Sequence, residues 1–191
     1  AAGWTAVALE QDADGAGVAR SRGLPAVQAD AGVIPLATAS LDLVVAMDVL
    51  EHLDDDTGAL AEWTRVLAPG GTLLVTVPAD PDLWSDHDVV VGHRRRYLAV
   101  ELRALVERAG LDLVTLWPWN VLLRPAMVLH RRNRAGSDLD FVPTPLNLAL
   151  RAVIEAERFV PWVQRGRGVT LVLRATRPAA AARPLSGAKY R

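Results

Sequence analysis

The hydrophobic pattern of the chain is clearest between residues 41 and 79. Leu41 to Met47 is a nearly unbroken apolar run rich in valine, which is typical of a strand buried on both faces. Apolar residues then recur at helical spacing from Leu60 to Leu67, and Leu73 to Val77 forms a second apolar run. Two strands joined by a helix of this length are parallel and connected by a right-handed crossover. The pattern therefore predicts a βαβ unit of an open α/β sheet.

Polar and turn-forming residues mark the ends of this helix. Asp54 to Asp56 supplies acidic side chains where a helix N-terminus favours them, and Pro69-Gly70-Gly71 ends the helix and turns the chain. Ligands of open α/β sheets lie beyond the carboxyl ends of the strands. Asp48, Glu51 and His52 follow the first strand and should lie at that edge.

The same patterns place further elements on both sides of this unit. A short helix is predicted over Ala13 to Arg22, and another around Leu102 to Ala109 ends at Gly110. The remaining strands are predicted at Thr5 to Leu9, Ala26 to Ala29, Leu111 to Trp117 and Val169 to Thr176. This order predicts a doubly wound, Rossmann-like and mostly parallel α/β sheet.

We expect one domain over residues 1–176. Residues 118–164 form a helical insertion in this interpretation, with amphipathic stretches at Val121 to Arg132 and Leu146 to Val163. Residues 177–191 are rich in alanine and proline and are expected to be a flexible tail.

Composition narrows the classes of function. The chain has 191 residues and a net charge of −1, which gives no electrostatic reason to expect nucleic acid. No apolar run is long enough to span a bilayer, and no signal peptide is visible, so a cytoplasmic protein is expected. Without cysteine the chain has no disulfide, zinc thiolate or cysteine nucleophile, and its one lysine, Lys189, argues against Schiff-base chemistry.

Several motifs stand out along the chain: Glu10 at a strand end, Asp30 in QAD, SLDLVVAMDVLEHL, RVLAPGGTLLVTVP and RALVERAGLDLV. Together they resemble a class I S-adenosylmethionine-dependent methyltransferase of the small-molecule branch. The resemblance covers roughly Thr5 to Trp117. It implies S-adenosylmethionine as the cofactor, a small-molecule acceptor, and an antiparallel closing strand at Val169 to Thr176, inserted beside the strand ending at Val77.

One part of the family pattern is absent. Similar enzymes begin with a strand and a glycine-rich turn, approximately GxGxG, which cradle the methionine part of the cofactor. That strand would lie between the strands ending at Glu10 and Asp48, so we expect a gap in the sheet there. Either the chain is truncated at its N-terminus or the protein has lost its cofactor site.

The resemblance assigns the cofactor contacts. Glu10 would accept both ribose hydroxyls, and Asp30 would accept from the adenine amino group while the Ala31 backbone N–H meets a ring nitrogen. An exposed strand end and a turn cap are the plainer explanations of Glu10 and Asp30. The full set of expected cofactor contacts is Glu10, Gln11, Asp30, Ala31, Met47 and Asp48.

Asp48, Glu51 and His52 share one side of a helical turn. In some similar enzymes acting on phenols, a comparable set holds a divalent metal. Two carboxylates and one imidazole suit manganese or zinc better than magnesium. A polar helix start explains Glu51 and His52 more simply, so no metal is predicted, whereas a cofactor contact is favoured for Asp48.

His87 and His93 are the candidate catalytic residues. They lie in the polar segment after the strand ending at Val77, which should cover the carboxyl edge of the sheet. A histidine is a suitable base if the acceptor is a hydroxyl, although both could simply shape the loop.

Arginines mark two further surfaces. Arg94 to Arg96 could meet an anionic substrate or form a solvated charge run. The insertion, whose apolar faces are bordered by Arg124, Arg131, Arg132 and Arg134, could enclose a lipid-like substrate or rest on a membrane. Covering the sheet or forming a dimer contact is the simpler explanation of those faces.

The sequence therefore leaves three candidate functions. The first is methyl transfer from S-adenosylmethionine to a small molecule. The second is a non-catalytic domain of the same fold that partners an active subunit. The third, a nicotinamide-dependent oxidoreductase, is disfavoured by the APGG turn, by the late final strand and by the lack of GxGxxG.

Overall fold

A computed structural model describes residues 3–133, 143–157, 159–160, 163 and 166–179. The strands are β1 (Ala8–Glu10), β2 (Ala26–Gln28), β3 (Leu41–Met47), β4 (Leu67–Pro78), β5 (Asp112–Trp119) and β6 (Thr170–Thr176). The α-helices are α1 (Ala13–Ser21), α2 (Asp56–Val66), α3 (Asp86–Val90), α4 (Ala99–Arg108), α5 (Arg124–Asn133) and α6 (Thr144–Glu157). Short 3-10 helices cover Leu50–His52 and Pro81–Leu83.

Four strands form the main sheet, in the order β3-β4-β6-β5. β3 and β4 are parallel, as the central βαβ unit predicted. β6 runs antiparallel to β4, with Val77 opposite Leu171, and antiparallel to β5 on its other side. The prediction of an antiparallel closing strand beside β4 is therefore confirmed, and β5 points the same way as β3 and β4.

The expected gap in the sheet is also observed. β1 and β2 pair in parallel with each other in a separate two-stranded sheet. Among the described strands, β3 pairs only with β4, so its other edge faces the place where a central strand was expected. Val45 and Met47 of β3 are 53% and 46% exposed, which is unusual for a strand with this apolar sequence.

The core lies between the main sheet and the helices that cover it. α2 is positioned by its N-cap, since Asp55 accepts a hydrogen bond from the Gly58 backbone N–H at 2.8 Å. Its apolar face packs against β4 and α4 in one cluster. Among the buried side chains of this cluster on α2, β4 and α4 are Leu60, Trp63, Val66, Leu73, Val75, Val77, Leu102 and Val106. The apolar residues from which the helix and the strands were predicted belong to this cluster.

The element bounds differ from the sequence prediction in a few places. β4 begins at Leu67, directly after α2, and its register with β3 jumps from Leu41↔Leu67 to Leu43↔Thr72. Pro69-Gly70-Gly71 therefore lies in a bulge at the start of β4. α3 was not predicted, because the segment from Asp80 to Tyr97 is polar and has no helical apolar repeat.

The insertion holds two helices, α5 and α6, near the amphipathic stretches expected there. Glu157 at the end of α6 is buried and accepts from the backbone N–H groups of Val121 and Leu122, each at 3.1 Å. This contact fixes the end of α6 against the start of the insertion. The side chains of Arg131 and Arg132, Arg134, and the tail from residue 180 onward lie outside the described part of the chain.

No helix in the described ranges is both long and apolar enough to cross a bilayer.

Candidate functional site

The first group of predicted cofactor residues lies at the carboxyl ends of β1 and β2. Glu10 ends β1, and its carbonyl accepts from the Ala29 backbone N–H at 3.0 Å. This bond holds Glu10 and Gln11 beside the residues that follow β2, namely Asp30 and Ala31. The structure therefore brings these four predicted residues together.

Gly15 is a residue of this site that the sequence analysis missed. It lies in the first turn of α1, where Asp12 caps the helix by accepting from the Gly15 N–H at 2.7 Å. A Cβ atom at position 15 would meet the Glu10 Oε2 atom at 2.9 Å, closer than side chains normally approach. Glycine here therefore leaves room for the Glu10 carboxylate beside the N-terminus of α1.

Asp30 and Ala31 form a tight turn after β2. One Asp30 carboxylate oxygen accepts from the Gly32 N–H at 2.6 Å, so the turn-cap explanation of this residue is observed. The Ala31 carbonyl accepts from the Trp63 indole N–H at 2.8 Å. The turn is thereby attached to α2, which places it at a fixed distance from the main sheet.

The second group, Met47 and Asp48, follows β3 at the carboxyl edge of the main sheet. Asp48 has a φ of +52°, which a residue with a Cβ seldom adopts. Its backbone N–H donates to the Thr76 carbonyl at 3.0 Å and lies 3.1 Å from the Thr76 hydroxyl. Thr76 thus holds the sharp turn after β3, and the Met47 side chain remains about half exposed.

His93 is the better anchored of the two candidate catalytic histidines. Its Nδ1 lies 2.8 Å from the Asp88 Oδ1 atom, and only 12% of its side chain is exposed. Asp88 is itself fully buried and accepts from Arg96 Nε at 2.8 Å and from the Ser85 N–H at 2.9 Å. Burial alone would raise the pKa of Asp88, but the His93 hydrogen bond and the Arg96 charge hold that pKa below its ordinary value.

Glu51 lies on the other side of the His93 ring. It is fully buried, and neither carboxylate oxygen has a hydrogen-bond partner within the described ranges. Burial raises the pKa of Glu51 to about 8, and the neighbouring negative charge of Asp48 acts in the same direction against the opposing charge of Arg96. Such a carboxyl is the least satisfied polar group at this edge of the sheet.

Two more histidines complete this cluster. The His52 ring centre lies 4.9 Å from that of His93, and the His87 ring centre lies 6.4 Å from it. Within the described ranges, the groups that could share an ion are Glu51, His52 and His93, whose potential ligand atoms lie within 4.8 Å of one another. Asp48 is outside this set, and His93 takes its place beside Glu51 and His52.

The three consecutive arginines, Arg94 to Arg96, form ion pairs within the protein. Each guanidinium forms an ion pair with a different carboxylate of the protein: Arg94 with Asp54, Arg95 with Asp56, and Arg96 with Asp88, at 3.2, 2.9 and 2.8 Å. The next residue, Tyr97, donates its buried hydroxyl to Asp56 at 3.1 Å. The pairs of Arg94 and Arg95 attach this segment to the start of α2, and that of Arg96 attaches it to α3, so the three charges are compensated within the protein.

A cavity of about 420 Å³ opens beyond the carboxyl end of β4. Its wall combines apolar surface from β5 and β6 with Asp80, which lies directly after β4, and Arg167, which precedes β6. Arg167 pairs with Asp80 at 3.2 Å, and Arg124 of α5 also bonds Asp80. Of the insertion, Pro118 lines this cavity, and Arg124 reaches its wall through Asp80. A larger cavity of about 560 Å³ runs along α4, and neither cavity is lined by a predicted site residue.

Comparisons with known proteins agree with the fold and with the motifs. Residues 1–75 match a family described as a methyltransferase domain. A protein of Mycolicibacterium smegmatis, named as a probable S-adenosylmethionine-dependent methyltransferase, is 39% identical over 82 residues, which are 42% of this chain and 32% of that protein. The chain thus spans about a third of the length of this relative.

Solved structures show the same fold. A methyltransferase from Thermotoga maritima aligns with a TM-score of 0.60 at 20% identity, over 90% of this chain and 72% of that one. The phosphoethanolamine N-methyltransferase 2 of Haemonchus contortus, solved with S-adenosyl-L-methionine, aligns with a TM-score of 0.59 at 15% identity, over 91% and 43% of the two chains. The chain is therefore similar in sequence to S-adenosylmethionine-dependent methyltransferases, and it has their class I α/β fold. The predicted resemblance and fold class are confirmed, and the names of the relatives agree with S-adenosylmethionine as the cofactor.

Proposed function

We propose that the protein transfers a methyl group from S-adenosylmethionine to a small-molecule acceptor. The observation that carries this proposal is the position of Glu10 and Asp30 at the ends of neighbouring parallel strands. A carboxylate at the first position suits a pair of ribose hydroxyls, and one at the second suits an exocyclic amine. Gln11, Ala31, Met47 and Asp48 would complete the nucleoside site along the same edge.

Methyl transfer needs mainly alignment. A lone pair of the acceptor attacks the methyl carbon, the bond from that carbon to the sulfonium sulfur breaks, and S-adenosylhomocysteine leaves. When the acceptor is a hydroxyl, its proton must also be removed. Holding the two reactants in line supplies much of the rate, and a base adds to it.

His93 and His87 are the proposed recipients of that proton. Asp88 accepts a hydrogen bond from His93 Nδ1, and this contact orients the ring and leaves Nε2 as the proton acceptor. His87 lies on α3 in the same cluster and is the second candidate. Replacing the true base with glutamine should lower turnover by roughly two orders of magnitude without weakening cofactor binding.

The size and lining of the cavity beside β4 support a small acceptor. A volume of about 420 Å³ falls within the range of ligand pockets. One structural neighbour acts, by its name, on phosphoethanolamine. The ion pairs of Arg94 to Arg96 weigh against a role for these three residues in binding an anionic acceptor. The insertion over residues 118–164 would shape the acceptor side, and a cytoplasmic location remains part of the proposal.

A second function rests on a different observation. The separation of β1 from β3 leaves the edge of β3 without a strand among the described residues, which also suits a non-catalytic domain that partners another subunit. Calorimetry of the full-length gene product with S-adenosylmethionine separates the two functions, because a non-catalytic partner would give no heat.

Glu10→Ala tests the proposed site directly. This substitution should weaken S-adenosylmethionine binding by about 2 kcal/mol or more, because a charged acceptor for two hydroxyls is lost. Glu107→Ala, at an exposed position of α4, is the matched control and should leave affinity unchanged. Unchanged affinity in Glu10→Ala would remove Glu10 from the site, and binding of NAD instead would favour the oxidoreductase.

A further inference from the structure

Glu51 carries a buried carboxylate whose stabilisation none of the contacts described above explains. A fully buried carboxylate without a hydrogen bond is unfavourable unless a proton, a partner or an ion satisfies it. The facing group is His93, but its Nε2 lies 3.8 Å from Glu51 Oε1, too far for a hydrogen bond. A metal ion that binds both atoms would account for this separation better than a direct hydrogen bond.

A third potential ligand completes the arrangement. Glu51 and His52 are neighbours on the 3-10 helix after β3, and His93 follows α3, so two separate segments contribute. All three offer a ligand atom within 4.8 Å of the others. Donor atoms at about 2.1 Å from a zinc ion with tetrahedral angles are roughly 3.4 Å apart. The 3.8 Å separation of Glu51 and His93 therefore exceeds that distance by about 0.4 Å.

Hydrogen bonds orient both imidazoles for this role. His93 Nδ1 faces an Asp88 carboxylate oxygen at 2.8 Å, and His52 Nδ1 faces the Gly92 carbonyl at 3.3 Å. Both partners can only accept, so each Nδ1 carries the hydrogen and each Nε2 keeps its lone pair. Ligating histidines in metal sites show the same outer contacts to a carboxylate or a backbone carbonyl.

We propose that Glu51, His52 and His93 bind one divalent transition-metal ion. Two imidazoles and one carboxylate suit zinc or a similar metal, whereas magnesium and calcium favour sites built from oxygen. Since His52 is exposed, the ion would face solvent on one side and keep a position for water or another oxygen ligand. This ligand set differs from the one considered in the sequence, because His93 replaces Asp48.

The proposal concerns metal binding and does not depend on methyl transfer. With an ion bound, the Nε2 of His93 is a ligand and no longer a free base. His87 then remains as the proton acceptor of the proposed reaction. Metal binding and methyl transfer can therefore be tested separately, and failure of one leaves the other standing.

The experiment uses the full-length protein after removal of metal with a chelator. Co²⁺ is added while its visible d–d absorption is followed, and Zn²⁺ affinity is measured by competition with a chromophoric chelator. We expect one ion per chain. Glu51→Gln, His52→Gln and His93→Gln should each lower the affinity at least about tenfold, since even the loss of an outer contact weakens metal binding by about 10- to 100-fold.

His87→Gln is the matched control, because it removes a histidine of the same cluster that is outside the ligand set; its metal affinity should not change. His52→Gln changes an exposed side chain and so tests the ligand role without disturbing the core. Saturating Zn²⁺ should also raise the urea midpoint of the wild type and not of His52→Gln. The proposal is overturned if the wild type binds no ion, or if His52→Gln binds Zn²⁺ as tightly as the wild type.

Discussion

The pair formed by Asp88 and Arg96 allows a sharp prediction about stability. The Asp88 side chain is fully buried and that of Arg96 is 2% exposed, and the two are joined at 2.8 Å. Asp88→Asn keeps the shape and an acceptor oxygen but removes the charge that compensates the guanidinium. Breaking a buried ion pair on one side destabilises a protein by about 3–5 kcal/mol, because the remaining charge stays buried and unpaired.

The matched control is the pair formed by Asp54 and Arg94. These side chains are 83% and 57% exposed at a distance of 3.2 Å, so Asp54→Asn should change stability by about 0–1 kcal/mol. Urea unfolding of the wild type and both variants, followed by circular dichroism, measures the two differences. If Asp88→Asn lowered the free energy of unfolding by no more than Asp54→Asn, the pair would not anchor the segment after α3.

Two further predictions concern the cofactor site and the attachment of its neighbouring loop. Gly15→Ala should weaken S-adenosylmethionine binding in calorimetry, because the added Cβ displaces the Glu10 carboxylate; Gly17→Ala, where a Cβ has open space, should not. Hydrogen bonds from Arg65 lower the pKa of Glu62, which also accepts from the Ile34 N–H at 2.8 Å. A lowered folded pKa gives stability that is present above the unfolded value near 4.5 and lost as pH falls through the folded value. Acid titration of the urea midpoint should therefore show a smaller loss below pH 4.5 in Glu62→Gln than in the wild type, and the exposed Glu107→Gln should behave as the wild type. An equal loss of stability in all three proteins would show that Glu62 does not stabilise the loop that contains Ile34.

Much of the fold followed from local pattern. The apolar run from Leu41 to Met47 agrees with β3 to the residue. The expectation that this strand is buried on both faces was wrong, since Val45 and Met47 are about half exposed. The acidic cluster before α2 acts as expected, with Asp55 as the cap. The antiparallel β6 was predicted by resemblance to a family, since its sequence alone does not give the direction of a strand.

Local pattern was less informative where the chain is polar or irregular. α3 is only five residues long, and its buried residue is Asp88, which bonds Ser85, His93 and Arg96, so it has no apolar face for a pattern to reveal. The same holds for the start of β4, where glycines permit a bulge that no periodicity reveals.

For the candidate site, the sequence by itself determined which side chains reach the carboxyl edge. Residues that end or directly follow a predicted strand must lie at its carboxyl end. The positions of Glu10, Asp30 and Asp48 could therefore be predicted without coordinates. Only the tertiary structure decided which of these groups meet others across the chain. Glu51 and His93 are 42 positions apart by their numbers in the sequence, and the hydrogen bond from the Arg94 backbone N–H to the Glu51 carbonyl at 2.7 Å holds their segments side by side. Burial depends on everything packed around a group, so a sequence pattern could not show that the Glu51 carboxylate is enclosed and unpaired.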